Sequence, residues 1–191
     1  KLVKLVRLTA ETLQGIPSIV YGIFGYVCFN VALHCGFSML AGALTLSIMI
    51  LPLILRTTEE ALMAVPDSYR EGSFGLGAGK LRTVFRIVLP SAMPGVLAGV
   101  ILAIGRIVGE SAALIYTSGS GTGNLLFIKN GAFSLAAPLF QSTRTLSVHM
   151  YALMSEGLYT DQAHATAVIL MVLVIGLNAL SSFAAKKLTK Q

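Results

Sequence analysis

Charged residues are scarce in this chain. Only 12% of its 191 residues are charged, against 55% hydrophobic residues, and the mean hydropathy is +0.80. This composition excludes an ordinary soluble domain, because a chain of this length cannot hide so much apolar surface in its own core. A surface that faces lipid is the simpler explanation. We therefore expect one membrane domain that covers residues 1–191.

Residues that bind metals or form disulfides are also few. Cys28 and Cys35 lie seven residues apart without a second pair, which matches no zinc or redox spacing. They read as two ordinary thiols, with a bridge across an outer turn as the alternative. His34, His149 and His164 are scattered without metal-ligand spacing. We predict neither a metal site nor a cofactor.

A phosphate-binding P-loop is absent as well. Gly79–Lys80 has the right ending, but the motif needs Gly where Phe74 stands and Ser or Thr where Leu81 stands. The glycine-rich run 119–123 lacks the following lysine and is interpreted as an external turn. The sequence therefore predicts that this chain does not hydrolyse ATP itself and is not an enzyme.

The net charge of +6 suggests a nucleic-acid partner, but the positions of the basic residues indicate another cause. Eleven of the fourteen lie in three clusters beside apolar runs, and an even number of crossings joins each cluster to the next. This is the positive-inside pattern of membrane proteins, so we predict no nucleic-acid partner. The clusters are Lys1, Lys4 and Arg7; Arg56, Arg70, Lys80, Arg82 and Arg86; and Lys186, Lys187 and Lys190.

Four apolar runs are long enough for transmembrane helices, which need about 20 residues each. They cover residues 13–33, 38–56, 91–117 and 162–185 and predict an all-α, polytopic transmembrane helix bundle. Gly95–xxx–Gly99 and Gly105–xxx–Gly109 in the third run favour close helix packing. Residues 118–161 are expected outside, with an amphipathic helix carrying Leu146, Met150, Leu153 and Met154.

A polar segment at residues 57–90 separates the second and third runs and is predicted to be a cytoplasmic loop. Asp67 follows Pro66, and Glu71 comes four residues later, which favours the first turn of a helix. Gly75, Gly77 and Gly79 then predict a tight turn before a second short helix, Lys80 to Val88, ended by Pro90. Such a helix–turn–helix suits a cleft on a partner protein. The alternative is a plain loop that only sets orientation.

Arg106 and Glu110 lie four residues apart in the third apolar run, so they share one helix face and can pair. Ionisable groups at this depth usually face a bundle interior or a water-filled path. One interpretation is a substrate path in which Arg106 binds an oxyanion. The other is a structural ion pair. Arg56 either reaches the headgroups or belongs to the same path.

The spacing from Glu71 to Gly77 to Ile87 and Leu89–Pro90 resembles the EAA loop of ABC importer permeases. In that family the loop docks on the ATPase, and Gly72–Ser73 stands here for the usual Ala–Ala. The resemblance assigns ATPase coupling to Glu60, Pro66, Asp67, Glu71, Gly77, Ile87, Leu89 and Pro90.

The whole chain is similar to phosphate-uptake permeases of the PstA type. The runs that carry this are Pro17–Gly22, Arg56–Glu59, Val65–Ser68, Ala103–Ala112, Arg144–Val148 and Glu156–Gly157. The resemblance implies the type I ABC importer permease (MetI-like) fold with six crossings. We find four and begin at Lys1, so we expect the N-terminal part of a longer permease to be missing.

The same resemblance implies a bacterial plasma-membrane subunit of an ATP-driven phosphate importer. Its partners would be a PstC-type permease in a heterodimer, two copies of an ATP-binding subunit and an extracytoplasmic phosphate-binding protein. Family positions matching Arg56, Arg106 and Glu110 are associated with phosphate passage.

Two alternatives to phosphate import remain open. The first is a permease for another oxyanion, such as sulfate, molybdate or phosphonate. The second is a membrane enzyme that uses Arg106 and Glu110 on a lipid-borne group. The enzyme hypothesis has no nucleophile or base at the depth of Arg106 and Glu110, and it does not explain the polar loop at residues 57–90.

Overall fold

The computed structural model describes residues 2–121, 128–129, 132–133 and 137–189. Lys1, Lys190 and residues 122–123 of the predicted external turn lie outside this described part. Cys28 and Cys35 are both free thiols. The helices are α1 Leu2–Gln14, α2 Ser18–Gly25 with a π-helical continuation Tyr26–Ala32, α3 Met39–Met63, α4 Asp67–Gly75, α5 Lys80–Thr83 with a π-helical continuation Val84–Val88, α6 Leu89–Gly109, α7 Ala112–Thr117, α8 Leu146–Glu156 and α9 Thr160–Thr189.

Three short elements are described between α7 and α8. Strands β1 Ile128–Lys129 and β2 Ala132–Phe133 pair antiparallel, and a 3₁₀ turn covers Ala137–Phe140. The predicted all-α fold is confirmed apart from this two-residue ladder.

Three helices are long and apolar enough to cross a membrane: Met39–Met63, Lys80–Gly109 and Thr160–Phe183. A fourth crossing exists only if Val3–Gln14 and Ser18–Ala32 count as one span, and these two bend by 100°. The helix expected over residues 13–33 therefore begins later than predicted, at Ser18, after a break at residues 15–17. Pro17 has no N–H to continue the helix of the preceding residues, and the straight part from Ser18 covers about 22 Å at 1.5 Å per residue.

The second loop helix does not end at Pro90, in contrast to the sequence prediction. α5, its π-helical continuation and α6 form one span from Lys80 to Gly109. Pro90 lies in the first turn of α6, directly after the π-helical residues Val84–Val88. Proline has no N–H to donate to the preceding turn. In a π turn the backbone hydrogen bonds span five residues instead of four, and this local change lets the helix continue through Pro90.

α3 and α6 run antiparallel and approach closely at two glycines. A Cβ built on Gly95 would lie 2.7 Å from Ala61 Cβ, and one on Gly99 would lie 2.3 Å from Thr57 Oγ1. The predicted small-residue face at Gly95–xxx–Gly99 is thus confirmed as a helix contact. A Cβ built on Gly109 would meet no atom of the described residues within 4 Å, so Gly105 alone of the second glycine pair lies at a helix contact.

The third predicted crossing, residues 91–117, is also broken. α6 ends at Gly109, Glu110 is extended with φ −74° and ψ 124°, and α7 begins at Ala112. α7 packs on α2, where a Cβ on Gly22 would meet Ala113 Cα at 2.8 Å. Gly25 in turn faces Thr117, so α7 runs parallel to α2 and continues the chain beyond the break as a separate short helix instead of extending α6.

The predicted outer helix exists as α8, but it does not stand apart from the bundle. Ser147 Oγ in its first turn donates a 2.7 Å hydrogen bond to the carbonyl oxygen of Glu110. Among the residues expected on its apolar face, Leu153 is buried and Met154 is exposed. The outer segment thus returns to the point where α6 breaks.

Candidate functional site

Glu110 lies at the break between α6 and α7 and caps α7. Its Oε1 accepts a 3.1 Å hydrogen bond from the backbone N–H of Ala113. Arg106 and Glu110 form no ion pair in the described part of the chain, so the predicted pairing is wrong. The expectation assumed a continuous helix, and the i, i+4 geometry is lost because the helix ends at Gly109.

Arg106 lies in the last turn of α6 and is half-buried. Its charge acts electrostatically on Tyr21, a buried residue in the first turns of α2. The Tyr21 hydroxyl donates a 2.8 Å hydrogen bond to the carbonyl oxygen of Leu13, which bridges α1 and α2. Within the described residues the guanidinium of Arg106 has no hydrogen bond or ion pair. Its five donors are therefore available to a ligand.

Arg106, on α6, lies at about the level of the middle of the neighbouring helix α3. Gly99 faces Thr57, so seven further residues along both antiparallel helices place Arg106 at the level of Ile50 along the helix axis. The midpoint of Met39–Met63 is Leu51. A cation at this depth is costly unless it faces a polar or water-filled path, so the position favours a functional role over a purely structural one.

Arg56 does not join Arg106. In the same register it lies opposite Val100, which places it about 9 Å from Arg106 along the helix axis. Its Nε donates to Glu60 Oε1 at 2.9 Å, and its Nη1 donates to Gln14 Oε1 at 3.4 Å. A role for Arg56 in the path remains a prediction.

The Arg56–Glu60 pair borders a cavity of about 370 Å³ between α1 and α3. A second pair at this cavity joins the helices directly, because Arg7 donates to Glu59, with Nε 3.1 Å from Oε1. Sequence reasoning assigned Glu60 to the coupling loop. The structure places it on α3 and in this contact with Arg56, before the loop begins.

The loop forms a helical hairpin, defined here as residues 66–88. Pro66 precedes α4, Asp67 lies in its first turn, and the helix ends at Gly75, all as predicted. Gly77 has φ +78°, a left-handed conformation that favours glycine, so the predicted tight turn is confirmed.

Arg70 fastens the hairpin to the end of α3, a role that sequence reasoning missed. Its Nη2 donates to Leu62 O at 2.9 Å, and its Nη1 donates to Val65 O at 3.1 Å and Asp67 Oδ1 at 2.5 Å. The carbonyl oxygens of Leu62 and Val65 have no partner in a continuing helix because α3 ends at Met63, and Arg70 supplies the missing donors. The sequence signal for this contact is a helix end, a proline shortly after it, and then an arginine, here Met63, Pro66 and Arg70.

The two arms of the hairpin meet through a buried pair of hydroxyls. Ser73 Oγ and Thr83 Oγ1 are 2.8 Å apart, and both side chains are buried. At the base of the hairpin, Val65, Val88 and Ala92 form a small core. Ile87 and Leu89 are half-buried there, whereas Pro90 is exposed.

Large apolar side chains at the tip of the hairpin have no cover in the described part of the chain. Leu76 is 91% exposed and Leu81 is 76% exposed. Tyr69, Phe74 and Phe85 are also exposed on the hairpin, and so is Glu71. An exposed apolar patch rimmed by charge is typical of a protein interaction site. The tip therefore suits a cleft on another protein.

Comparison with known proteins agrees with this arrangement. The family model described as binding-protein-dependent transport system inner membrane component matches residues 1–190. The chain belongs to this family. It is therefore a multi-pass component of a transport system in the cell membrane with the MetI-like fold, which is consistent with a non-catalytic role. Membership sets aside the alternative of a membrane enzyme acting on lipid.

Three relatives illustrate the range of similarity. The chain is 36% identical to the probable ABC transporter permease protein YqgI of Bacillus subtilis, over 99% of this chain and 67% of the relative. It is 47% identical to the phosphate transport system permease protein PstA 2 of Mycobacterium bovis, over 57% of this chain and 36% of the relative. It is 33% identical to the PstA homolog of Mycoplasma pneumoniae, over 91% of this chain and 26% of the relative.

The chain thus spans about two thirds of YqgI and about a third of PstA 2. No solved structure matches it significantly.

Proposed function

We propose that this chain is the translocation part of a permease subunit in an ATP-driven phosphate importer. The observation that carries the proposal is Arg106, a permanently charged guanidinium at mid-depth without a partner among the described residues. A guanidinium offers paired donors that match a tetrahedral oxyanion. The names of the relatives point to phosphate as that oxyanion.

The partners follow from the hairpin and from the resemblance. The exposed tip around Leu76 and Leu81 would enter a cleft on an ATP-binding subunit, present in two copies. A PstC-type permease would complete the path, and an extracytoplasmic phosphate-binding protein would deliver the anion. In this arrangement hydrolysis by the ATPase moves the hairpin, and α5–α6 carries that movement along one continuous helix to Arg106.

A site for a transported ion must release it again, so its binding has to be moderate. The single guanidinium of Arg106 fits this requirement better than a cluster of cations. Glu110 would act indirectly: by capping α7 it fixes the break in the helix that leaves Arg106 at the end of α6.

Uptake of radiolabelled phosphate by cells that carry the full-length permease and its partners tests the proposal. We expect uptake that requires an active ATPase and that arsenate inhibits more strongly than sulfate. A permease for sulfate, molybdate or phosphonate would give the opposite order or no phosphate uptake, and the proposal would then be wrong.

A further inference from the structure

Asn178 is an isolated polar residue in the apolar part of α9. Between Thr166 and Ser181 it is the one side chain in the sequence with a polar group. It lies against α6 at Gly105, where a built Cβ would be 3.5 Å from Asn178 Oδ1 and 3.8 Å from Nδ2. The amide therefore occupies the space beside the residue that directly precedes Arg106.

The depth of this contact matches that of the candidate path. In the register of α3 and α6, Gly105 is at the same level along the helix axis as Leu51, the midpoint of α3. Asn178 is half-buried, and its amide has no hydrogen bond within the described residues. Polar side chains are costly in the hydrocarbon region, and they usually find a partner or serve a function.

A structural role would require a partner across the helix interface. Amides join membrane helices by donating or accepting hydrogen bonds from the neighbouring helix. The part of α6 next to Asn178 offers a glycine, and the described residues contain no such bond to this amide. The unused donor and acceptor lie instead beside Gly105, the residue that directly precedes Arg106, whose guanidinium is also unpaired within the described residues.

We propose that Asn178 lines the anion path beside Arg106 and helps select a protonated tetrahedral oxyanion. This inference rests on the proposed function. An amide offers N–H donors and a carbonyl acceptor, whereas a guanidinium only donates. Hydrogen phosphate has both acceptor oxygens and an O–H, so it matches both groups. Sulfate has no proton at neutral pH and leaves the acceptor of Asn178 unpaired, which sites of this kind reject.

Cysteine accessibility tests contact with the anion directly. Asn178→Cys is introduced into a full-length permease in which Cys28→Ala and Cys35→Ala remove the two native thiols of the described chain. The thiol at position 178 is then the one in this part of the chain that a labelling reagent can modify. In the assembled importer, we expect saturating phosphate to slow labelling of this thiol and equal sulfate to have little effect. Ala179→Cys, on the exposed neighbouring position, is the matched control and should label at one rate in all conditions.

Uptake by Asn178→Leu provides the second readout. In this proposal a separate binding protein captures the anion, so the apparent affinity for phosphate reflects that protein. The maximal uptake rate at saturating phosphate instead reflects passage of the anion through the permease. We expect a fall of roughly tenfold, typical of losing a hydrogen bond to a charged group. Ser182→Leu, at an exposed position four residues later, should leave uptake unchanged.

The outcomes separate this inference from the proposed function. Normal phosphate uptake by the wild type and by Asn178→Leu, with no protection of Asn178→Cys, overturns the role of Asn178 alone. Absence of phosphate uptake by the wild type overturns the proposed function and this inference together.

Discussion

Ser73 and Thr83 share a 2.8 Å hydrogen bond across the arms of the hairpin, and both hydroxyls are shut away from solvent. Thr83→Val keeps the shape of the side chain but leaves the Ser73 hydroxyl without this partner, which costs about 1–3 kcal/mol. We expect the hairpin to loosen and the ATP-binding subunit to co-purify less. Thr160→Val, on the exposed outer start of α9, is the control and should have no effect. Unchanged co-purification of the Thr83→Val permease would show that the hydroxyl pair is dispensable.

Gly77 is the residue at which the hairpin turns, with φ +78°. Gly77→Val forces a β-branched side chain into the left-handed region, which costs at least about 1–2 kcal/mol. The turn should fail while the membrane helices insert normally, so the permease is present but the ATPase is lost. Gly72→Ala is the matched control, because Gly72 lies within α4 and a Cβ built on it meets no atom of the described part of the chain within 4 Å. Wild-type ATPase association of Gly77→Val would contradict this account of the turn.

Leu76 contributes the most exposed large apolar side chain at the hairpin tip. Leu76→Ser removes apolar area that no described residue covers, so we expect the thermal stability of the isolated permease to stay the same. Association with the ATP-binding subunit should weaken roughly tenfold or more if the side chain is an interface anchor. Leu158→Ser is the control, because Leu158 is comparably exposed on the outer side, between α8 and α9. Equal ATPase affinity of both variants would exclude the tip as the docking surface.

Glu110 caps α7 through its Oε1 and does not pair with Arg106. An amide oxygen can accept the same bond from Ala113 N–H, so Glu110→Gln should transport at close to the normal rate. Glu110→Ala loses the cap, at a cost of about 1 kcal/mol, and should lower both stability and uptake. Stability is measured by thermal unfolding of the purified permease. A strong loss of uptake in Glu110→Gln with unchanged stability would show that the negative charge itself is needed.

The membrane character and the hairpin could be predicted from sequence because their signals are local. Apolar runs of sufficient length indicate α3, α6 and α9, and the position of Gly77 requires a turn wherever the rest of the chain lies. The close approach at Gly95 and Gly99 also follows from residue size. These features depend on neighbours in sequence or on one helix face.

The two broken helices could not be predicted in the same way. Hydropathy treats residues 13–33 and 91–117 as continuous, because a bend changes neither composition nor length. The break at Glu110 depends on distant residues: Ser147 bonds its carbonyl, and Gly22 allows α7 to pack on α2. For the same reason the i, i+4 spacing of Arg106 and Glu110 predicted a pair that the actual backbone does not permit. Asn178 reaches Gly105, the neighbour of Arg106, only through the packing of α9 on α6, which no local pattern contains.

The central claim is that the guanidinium of Arg106 meets the transported anion. Phosphate uptake by cells carrying full-length Arg106→Ala, Arg106→Lys or wild-type permease, at equal membrane levels and equal ATPase association, tests it most directly. We predict that Arg106→Ala loses roughly 10- to 100-fold in rate, the effect of removing a charged hydrogen bond. Arg106→Lys should fall between, since it keeps the charge but not the paired donors. Phosphate uptake by Arg106→Ala at the wild-type rate would contradict the account.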